Sequence, residues 1–187
     1  MADAARHKEN LVRTAMRLFR RQGYASSGLQ QILSESGAPK GSLYHYFPAG
    51  KEALGEAAVI LAGNEIHEML AGLAERHRSP APFLRAYART MAGWMEESGF
   101  ESGCPIATTL LETAPRSPRI REAGERAIEG WVEVIGGVLA RAGHSRAIAR
   151  RRARLVVSAM EGALILARVH RSTRPILDVA LLADDPR

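Results

Sequence analysis

A chain of 187 residues with 46% hydrophobic content is long enough to bury the core of one domain or of two small ones. Its single cysteine, Cys104, excludes an internal disulfide and a zinc site built from cysteines, and it is typical of a reducing compartment. A formal net charge of +6 favours an acidic partner, and nucleic acid is the commonest one for a soluble protein.

The positive charge is concentrated near the N-terminus. Between Met1 and Phe47, seven Lys and Arg residues stand against three Asp and Glu residues. This basic end indicates either a nucleic-acid surface or a solvated helix face. The polar start of the chain lacks the apolar stretch of a secretory signal, and no later apolar run is long enough to span a bilayer. We therefore expect a cytoplasmic protein with no membrane partner.

Apolar residues recur at helical spacing along the whole chain, and no run alternates as a strand does, so the fold is predicted to be all-α. The first helix is expected over residues 4–22 and is ended by Gly23. Ser27 and Gln30 then have the spacing of a capping box, in which the serine hydroxyl accepts a hydrogen bond from the backbone of Gln30. This box is expected to open a second helix over residues 28–35.

A short turn separates the second helix from a third. Ser36-Gly37-Ala38 forms the predicted turn, because glycine tolerates a left-handed conformation. Pro39 suits the first turn of a helix that runs to about Phe47. Two short helices joined by a glycine-containing turn and packed on a preceding helix make a helix-turn-helix, whose second helix enters the major groove of DNA.

The third helix is predicted to have a core side and a DNA side. At about 100° per residue, Leu43, Tyr46 and Phe47 share the core side. The alternative is that residues 44–47 form only an aromatic patch in the core. We prefer this alternative for Tyr46 and Phe47, whereas we expect Tyr44 and His45 to contact DNA. Helix N-termini also favour phosphates. The predicted DNA-contacting residues are Ser27, Gly28, Lys40, Gly41, Ser42, Tyr44, His45 and Lys51.

The remainder of the chain is predicted to form a bundle of longer helices, which brings the total to about nine. Proline- and glycine-rich segments separate these helices. They are expected over residues 51–76, 83–97, 106–113, 119–142, 145–170 and 175–182. We therefore predict a helix-turn-helix domain over residues 1–50 and a helical domain over residues 51–187.

Residues 23–54 resemble the DNA-binding signature of the TetR family of repressors. The positions that match are Gly23, Ser27, Ile32, Gly37, Gly41, Leu43, Tyr44, Phe47, Lys51 and Leu54. Pro39 departs from the hydroxyl or amide residue often found there, and Tyr46 stands where the family frequently has histidine. Gly50 adds one residue before Lys51, and with the later Gly103-Cys104-Pro105-Ile106 it resembles the LmrA/YxaF-like branch.

This resemblance implies a DNA-binding transcription regulator, and specifically a repressor that a small molecule releases from its operator. The C-terminal domain of such a regulator holds the effector pocket and a two-fold interface. A rigid homodimer presents two helix-turn-helix elements, so the expected partner is a near-palindromic double-stranded operator. Effector binding is expected to change the spacing of these elements through the fourth helix.

The effector pocket is expected to be apolar, because methionine adapts its shape and tryptophan offers a large stacking surface. The same residues are also ordinary core material, and both interpretations stay open. The candidates are Tyr87, Met91, Trp94, Met95, Ile106, Leu110, Trp131, Ile135 and Met160. Thr108, Thr109 and Glu112 are further candidates for polar recognition of the effector.

The dimer interface is expected on the helix over residues 145–170, which has a wide apolar face rich in small residues. For each candidate residue on this helix, packing within one protomer is the alternative. The candidates are Leu155, Val156, Ala159, Ala163, Leu164 and Ala167.

Two other function classes compete with an effector-controlled regulator. One is a constitutive DNA-binding protein without an effector, and the other is a small helical enzyme. The six histidines show no metal-ligand spacing, there is no glycine-rich phosphate loop, and no nucleophile–base set stands out. We therefore predict no catalytic site, no metal and no cofactor.

Overall fold

The computed structural model describes residues 2–183, and every regular element within them is helical. The prediction of an all-α fold with about nine helices is confirmed. The α-helices are α1 (Ala2–Gln22), α2 (Leu29–Ser36), α3 (Ser42–Tyr46), α4 (Lys51–Arg76), α5 (Pro80–Glu97), α6 (Pro105–Thr113), α7 (Pro118–Arg141), α8 (Arg146–His170) and α9 (Arg174–Asp178), followed by a 3₁₀ helix (Val179–Ala183). None of these helices has the length and apolar character needed to cross a bilayer.

The helix-turn-helix differs from the predicted one at both helix starts. The prediction of a capping box is wrong, because α2 begins at Leu29. Its N-cap is Gly28, which has no side chain to form the capping hydrogen bond. α3 begins at Ser42, three residues later than predicted, because Pro39 starts a separate turn in which its carbonyl accepts the backbone N–H of Ser42 at 2.9 Å. The turn between the helices is therefore longer than three residues.

The chain folds as two compact units, and the first contains the helix-turn-helix. This unit comprises the chain up to Asn64 together with Cys104–Ala127. α1 packs against α2, α3 and α6. One apolar cluster in this unit consists of the buried residues Leu11, Val12, Ala15, Leu18, Phe19, Ile32, Leu33, Leu43, Phe47, Leu54 and Ala58. Burying one such large side chain contributes about 1.5–3 kcal/mol, so this cluster fixes α2 and α3 on α1.

The second unit comprises Glu65–Gly103 and the chain from Ile128 onward. Within it α5 packs against α8, α9 and the 3₁₀ helix, and α8 also contacts the last two elements. Ile176 and Val179 are buried and anchor this C-terminal segment. The short final elements are therefore part of the packed structure of the unit.

The first unit reaches beyond the boundary predicted at residue 50, because α6 and the start of α7 belong to it. Polar contacts also join α4 to the start of α7 within this unit. The Ser117 hydroxyl donates to Oε1 of Glu52 at 2.5 Å, and the Arg119 guanidinium lies 3.3 Å from the carboxylate of Glu56. The functional division at residue 50 stays a prediction.

Candidate nucleic-acid interface

α3 is held in place from its inner side. Leu43 and Phe47 are buried in the apolar cluster of the first unit, alongside Ile32 from α2. Between the two helices, Gly37 has a φ of 65° and ends α2 in the left-handed conformation that glycine adopts without strain. The core and the turn together set which side of α3 faces outward.

The outer side of α3 and the turn before it carry the residues predicted to be exposed there. Tyr44 is 60% exposed, and His45, Lys40 and Gly41 are exposed as well. Ser42 is half-buried. The predicted exposure of Tyr44 and His45 is confirmed, while their contact with DNA stays a prediction. This side offers a phenol, an imidazole and an ammonium group, which can all form hydrogen bonds to base edges or phosphates.

Two glycines on this surface are not required by the fold. Gly41 has a φ of −74°, and Gly28 has a φ of −74° with extended ψ, so any residue can adopt either backbone conformation. No heavy atom outside their immediate chain neighbours lies within 4 Å of the position that a Cβ would take at either residue. Nothing within the described chain therefore excludes a side chain, which favours close approach by an external partner.

The structure corrects the predicted contact between Ser27 and DNA. It is 0% exposed, its hydroxyl donates to the carbonyl of Gly23 at 2.7 Å, and its backbone N–H donates to the carbonyl of Tyr24 at 3.2 Å. Both polar groups are used inside the loop before α2. Ser27 thus holds this loop together and is not available to a phosphate.

Lys51 is engaged within the first unit. Its Nζ donates to the carbonyl of Ala25 at 3.1 Å and lies 4.6 Å above the centre of the Tyr24 ring. Burial lowers the pKa of Lys51, and the nearby carboxylate of Glu112 partly opposes this shift. Lys51 therefore braces the α1–α2 loop, and its predicted phosphate contact remains a prediction.

Glu112 on α6 is a structural partner of the same loop, which sequence reasoning did not find. Its Oε1 accepts the backbone N–H of Tyr24 at 2.9 Å, and its Oε2 accepts the N–H of Ala25 at 2.7 Å. Burial, followed by the charges of Glu52 and Glu112, raises the pKa of Tyr24. Tyr24 and Glu112 are 88 positions apart in the sequence, so no local pattern could indicate this contact.

α1 and α2 are also joined by a chain of exposed polar side chains. Arg17 donates to Glu35 at 2.7 Å, Gln31 donates to the same carboxylate at 2.9 Å, and Gln22 donates to Gln31 at 2.9 Å. These hydrogen bonds, with that of Arg17 first, lower the pKa of Glu35. Exposed ion pairs individually contribute little to the free energy of unfolding. These hydrogen-bonded side chains therefore orient α2 more than they stabilise it.

The predicted effector residues are largely buried. In the second unit Tyr87, Met91, Met95, Trp131, Ile135 and Met160 are buried, and Trp94 is half-buried. In the first unit Ile106 is buried and Leu110 is half-buried, with its methyl groups against Gly124. Such burial suits both a packed core and the lining of a chamber, so the effector site stays a prediction.

The polar residues considered for effector recognition have partners inside the protein. The Thr108 hydroxyl donates to the carbonyl of Cys104 at 2.9 Å, and that of Thr109 donates to the carbonyl of Pro105 at 2.8 Å. Glu112 holds the α1–α2 loop through its two carboxylate oxygens. These three side chains therefore have structural roles within the first unit.

The predicted dimer face of α8 is corrected by the structure. Val156, Ala163, Leu164 and Ala167 are at most 5% exposed within one protomer, so they are not available to a partner. Ala159 is half-buried, and of the predicted residues only Leu155 is well exposed, at 59%. The apolar residues that α8 presents to solvent are centred about 140° further around the helix. We call them the outer stripe of α8: Leu155, Gly162, Ile165, Leu166 and Val169.

Two family models match the chain. One, described as bacterial regulatory proteins, tetR family, matches residues 11–58, and the other, described as transcriptional regulator LmrA/YxaF-like, C-terminal domain, matches residues 80–181. The HTH-type transcriptional regulator LmrA of Bacillus subtilis is 33% identical over 95% of this chain and 95% of its own length. The regulator YxaF of the same organism is 32% identical over 92% of this chain and 91% of its own.

Solved structures show the same fold. A TetR transcriptional regulator from Chloroflexus aurantiacus superposes with a TM-score of 0.81 at 28% identity, covering 98% of this chain and 96% of that one. The reduced form of NemR from Escherichia coli superposes with a TM-score of 0.79 at 23% identity, covering 95% of both chains.

Proposed function

The chain belongs to the TetR family of DNA-binding transcription regulators, with a C-terminal domain of the LmrA/YxaF-like type, and from this premise we propose that it is a homodimeric repressor released from its operator by a small hydrophobic effector. Members and relatives of this family are transcription regulators, not enzymes. The repressor role, the effector and the dimer are the parts of the proposal that go beyond membership.

The proposal of DNA recognition rests on the exposed outer side of α3. Tyr44 and His45 project from a helix whose other side is fixed in the core, Lys40 is exposed in the turn before it, and Gly41 leaves room for close approach. We propose that Tyr44 and His45 contact base edges and that Lys40 contacts a phosphate. Base-edge contacts carry sequence information, whereas phosphate contacts set position and salt dependence.

The outer stripe of α8 supports a homodimer. It exposes four large apolar side chains by half or more of their surface, Leu155, Ile165, Leu166 and Val169, along one side of a long helix. Gly162 lies in the same stripe, and no side chain or other packed atom lies within 4 Å of its missing Cβ. A glycine in a helix interior costs about 0.5–1 kcal/mol relative to alanine, so its presence here favours close packing of a second copy.

Release by an effector is proposed as a population shift. A ligand changes the spacing of two DNA-binding elements only if it binds one conformer of the dimer more tightly than another. The buried aromatic and methionine side chains of the second unit, among them Tyr87, Trp131 and Met160, are the surface on which an apolar effector is expected to bind. No observation favours the constitutive alternative.

The test begins with a duplex that the wild-type protein selects from a random-sequence library. We expect the selected sequences to contain an inverted repeat. Tyr44→Ala should then weaken binding to this duplex by about 1–3 kcal/mol at fixed salt, since the side chain is exposed and its loss leaves the core intact. Affinity is measured by fluorescence anisotropy and oligomeric state by sedimentation.

Leu111→Ala is the matched control, because Leu111 is 79% exposed on α6 of the same unit and lies outside the proposed interface. It should bind as the wild type does. An unchanged affinity for Tyr44→Ala removes Tyr44 from the DNA-contacting residues, and failure of the wild type to select any duplex contradicts operator binding altogether.

A further inference from the structure

The loop between α1 and α2 is held from two sides by charged side chains. On one side, the two carboxylate oxygens of Glu112 accept the consecutive backbone N–H groups of Tyr24 and Ala25 at 2.9 and 2.7 Å. On the other side, the Lys51 ammonium donates to the carbonyl of Ala25 at 3.1 Å. Both polar groups of the Ala25 backbone are therefore fixed by side chains that are distant in sequence.

Gly23 is shaped to this arrangement. Its φ of +89° lies in the region that side chains other than glycine rarely adopt, and a Cβ there would stand 2.6 Å from Oε1 of Glu112. The glycine thus satisfies two requirements, a backbone turn and room for the carboxylate. A residue that only ended α1 would not need the second.

The held loop leads directly into the DNA-binding helices. Ser27, three residues after Tyr24, is fixed by its hydrogen bonds to Gly23 and Tyr24, and Gly28 is the N-cap of α2. The direction in which α2 starts is therefore set by the loop. Since α2 and α3 share one apolar cluster, the direction of α2 also sets the pose of α3.

We infer that Glu112 is a positioning residue for DNA binding, acting from α6 through the α1–α2 loop on the pose of α2 and α3. This inference rests on the proposed contact between α3 and DNA. The two hydrogen bonds to an ionised carboxylate are of the stronger, charge-assisted kind, and they do not require Glu112 to touch DNA.

Electrostatics and positioning predict opposite signs for the neutralising substitution Glu112→Gln. If the carboxylate acted only as a charge in a DNA-binding unit, its removal would reduce repulsion from phosphates and tighten binding. If it positions the loop, its removal weakens binding, because an amide offers one acceptor oxygen for two N–H groups. The direction of the change therefore distinguishes the two roles.

The experiment measures affinity for the duplex selected by the wild type, across a series of salt concentrations. We expect Glu112→Gln to weaken binding about tenfold, the size of losing one charge-assisted hydrogen bond, with an unchanged slope of log Kd against log salt. Glu125→Gln is the matched control, because Glu125 is exposed on α7 in the same unit and its substitution removes the same charge. It should bind as tightly as the wild type or more tightly.

Amide hydrogen exchange supplies the readout that a general loss of stability would not give. The amides of Tyr24 and Ala25 should exchange about tenfold faster in Glu112→Gln, while the amides of α1 keep their protection. Gly23→Ala, which crowds the same carboxylate, should reproduce the loss of affinity.

Each remaining outcome counts against the inference. Binding by Glu112→Gln that equals or exceeds that of Glu125→Gln overturns it while leaving operator binding in place. The inference is also overturned if the fraction of Glu112→Gln protein that is unfolded at the assay temperature accounts for the whole loss of affinity. A wild-type protein that selects no duplex overturns operator binding and this inference together.

Discussion

At the scale of single residues, two glycines near α3 separate the requirements of folding from those of DNA contact. Gly37 has a positive φ of 65°, so a side chain there is strained, whereas Gly41 has an ordinary φ and open space around it. Gly41→Ala should leave the free energy of unfolding unchanged or raise it by up to about 1 kcal/mol, because alanine restricts the unfolded chain. It should also weaken binding to the selected duplex by about 1–3 kcal/mol, since its methyl group occupies space proposed for DNA.

Gly37→Ala is the comparison for this prediction. It should lower the free energy of unfolding by about 1–2 kcal/mol, the cost of a left-handed conformation for a residue with a Cβ. Denaturant titration measures both variants, and anisotropy measures their affinity for DNA. Equal affinities of Gly41→Ala and the wild type would show that DNA does not approach Gly41 closely.

At the scale of helices, the outer stripe of α8 is expected to control assembly. Ile165→Glu places a charge at a site that is 61% exposed in the protomer and that we propose to be covered in the dimer. Two-fold symmetry introduces the change twice, and loss of each buried isoleucine removes about 1.5–3 kcal/mol of association energy. The variant should therefore sediment as a folded monomer and bind the selected duplex much more weakly.

Leu164→Ala separates assembly from folding. Leu164 is adjacent in sequence but only 5% exposed, so its truncation should lower the free energy of unfolding by about 2–5 kcal/mol while the dimer persists at protein concentrations where it is folded. A dimeric Ile165→Glu protein would contradict the proposed interface on α8.

The helices themselves could be predicted from the sequence, but the side that each one buries could be predicted only in part. In α3 the aromatic and aliphatic residues divide clearly, and the predicted exposure of Tyr44 agrees with the structure. In α8 apolar residues cover most of the circumference, so periodicity alone could not distinguish Leu164, which is buried, from Ile165, which is exposed. That choice depends on what packs against the helix, which is a property of the tertiary structure.

Contacts between distant residues explain the other differences. Ser27 fits the pattern of a helix cap, in which its hydroxyl would accept a backbone N–H, yet in the structure this hydroxyl donates to the carbonyl of Gly23, because the loop turns back on itself. Glu112 could not be linked to Tyr24 from sequence, because their contact depends on how α6 packs against α1. Local patterns predicted the elements of the site, whereas its supports came from other parts of the chain.

At the scale of the whole molecule, binding of the proposed effector must change both the free energy of unfolding and the affinity for DNA. A ligand that binds only the native protein raises the free energy of unfolding by about 2.7 kcal/mol when its concentration is 100 times its Kd. A panel of apolar and aromatic compounds can therefore be screened by the rise in thermal midpoint that each compound causes. Compounds that stabilise the protein are then titrated into the complex with the selected duplex.

Reciprocity makes the final prediction quantitative. If a compound weakens DNA affinity by some factor, typically about 5 to 150 for coupled sites, then saturating duplex must weaken the affinity for that compound by the same factor. We expect a stabilising compound that obeys this equality, measured by anisotropy in one direction and by calorimetry in the other. A compound that raises the thermal midpoint but leaves DNA affinity constant binds both conformers equally, and it cannot be the effector. If every stabilising compound behaves in that way, the regulator is constitutive, and the buried aromatic and methionine residues of the second unit are core.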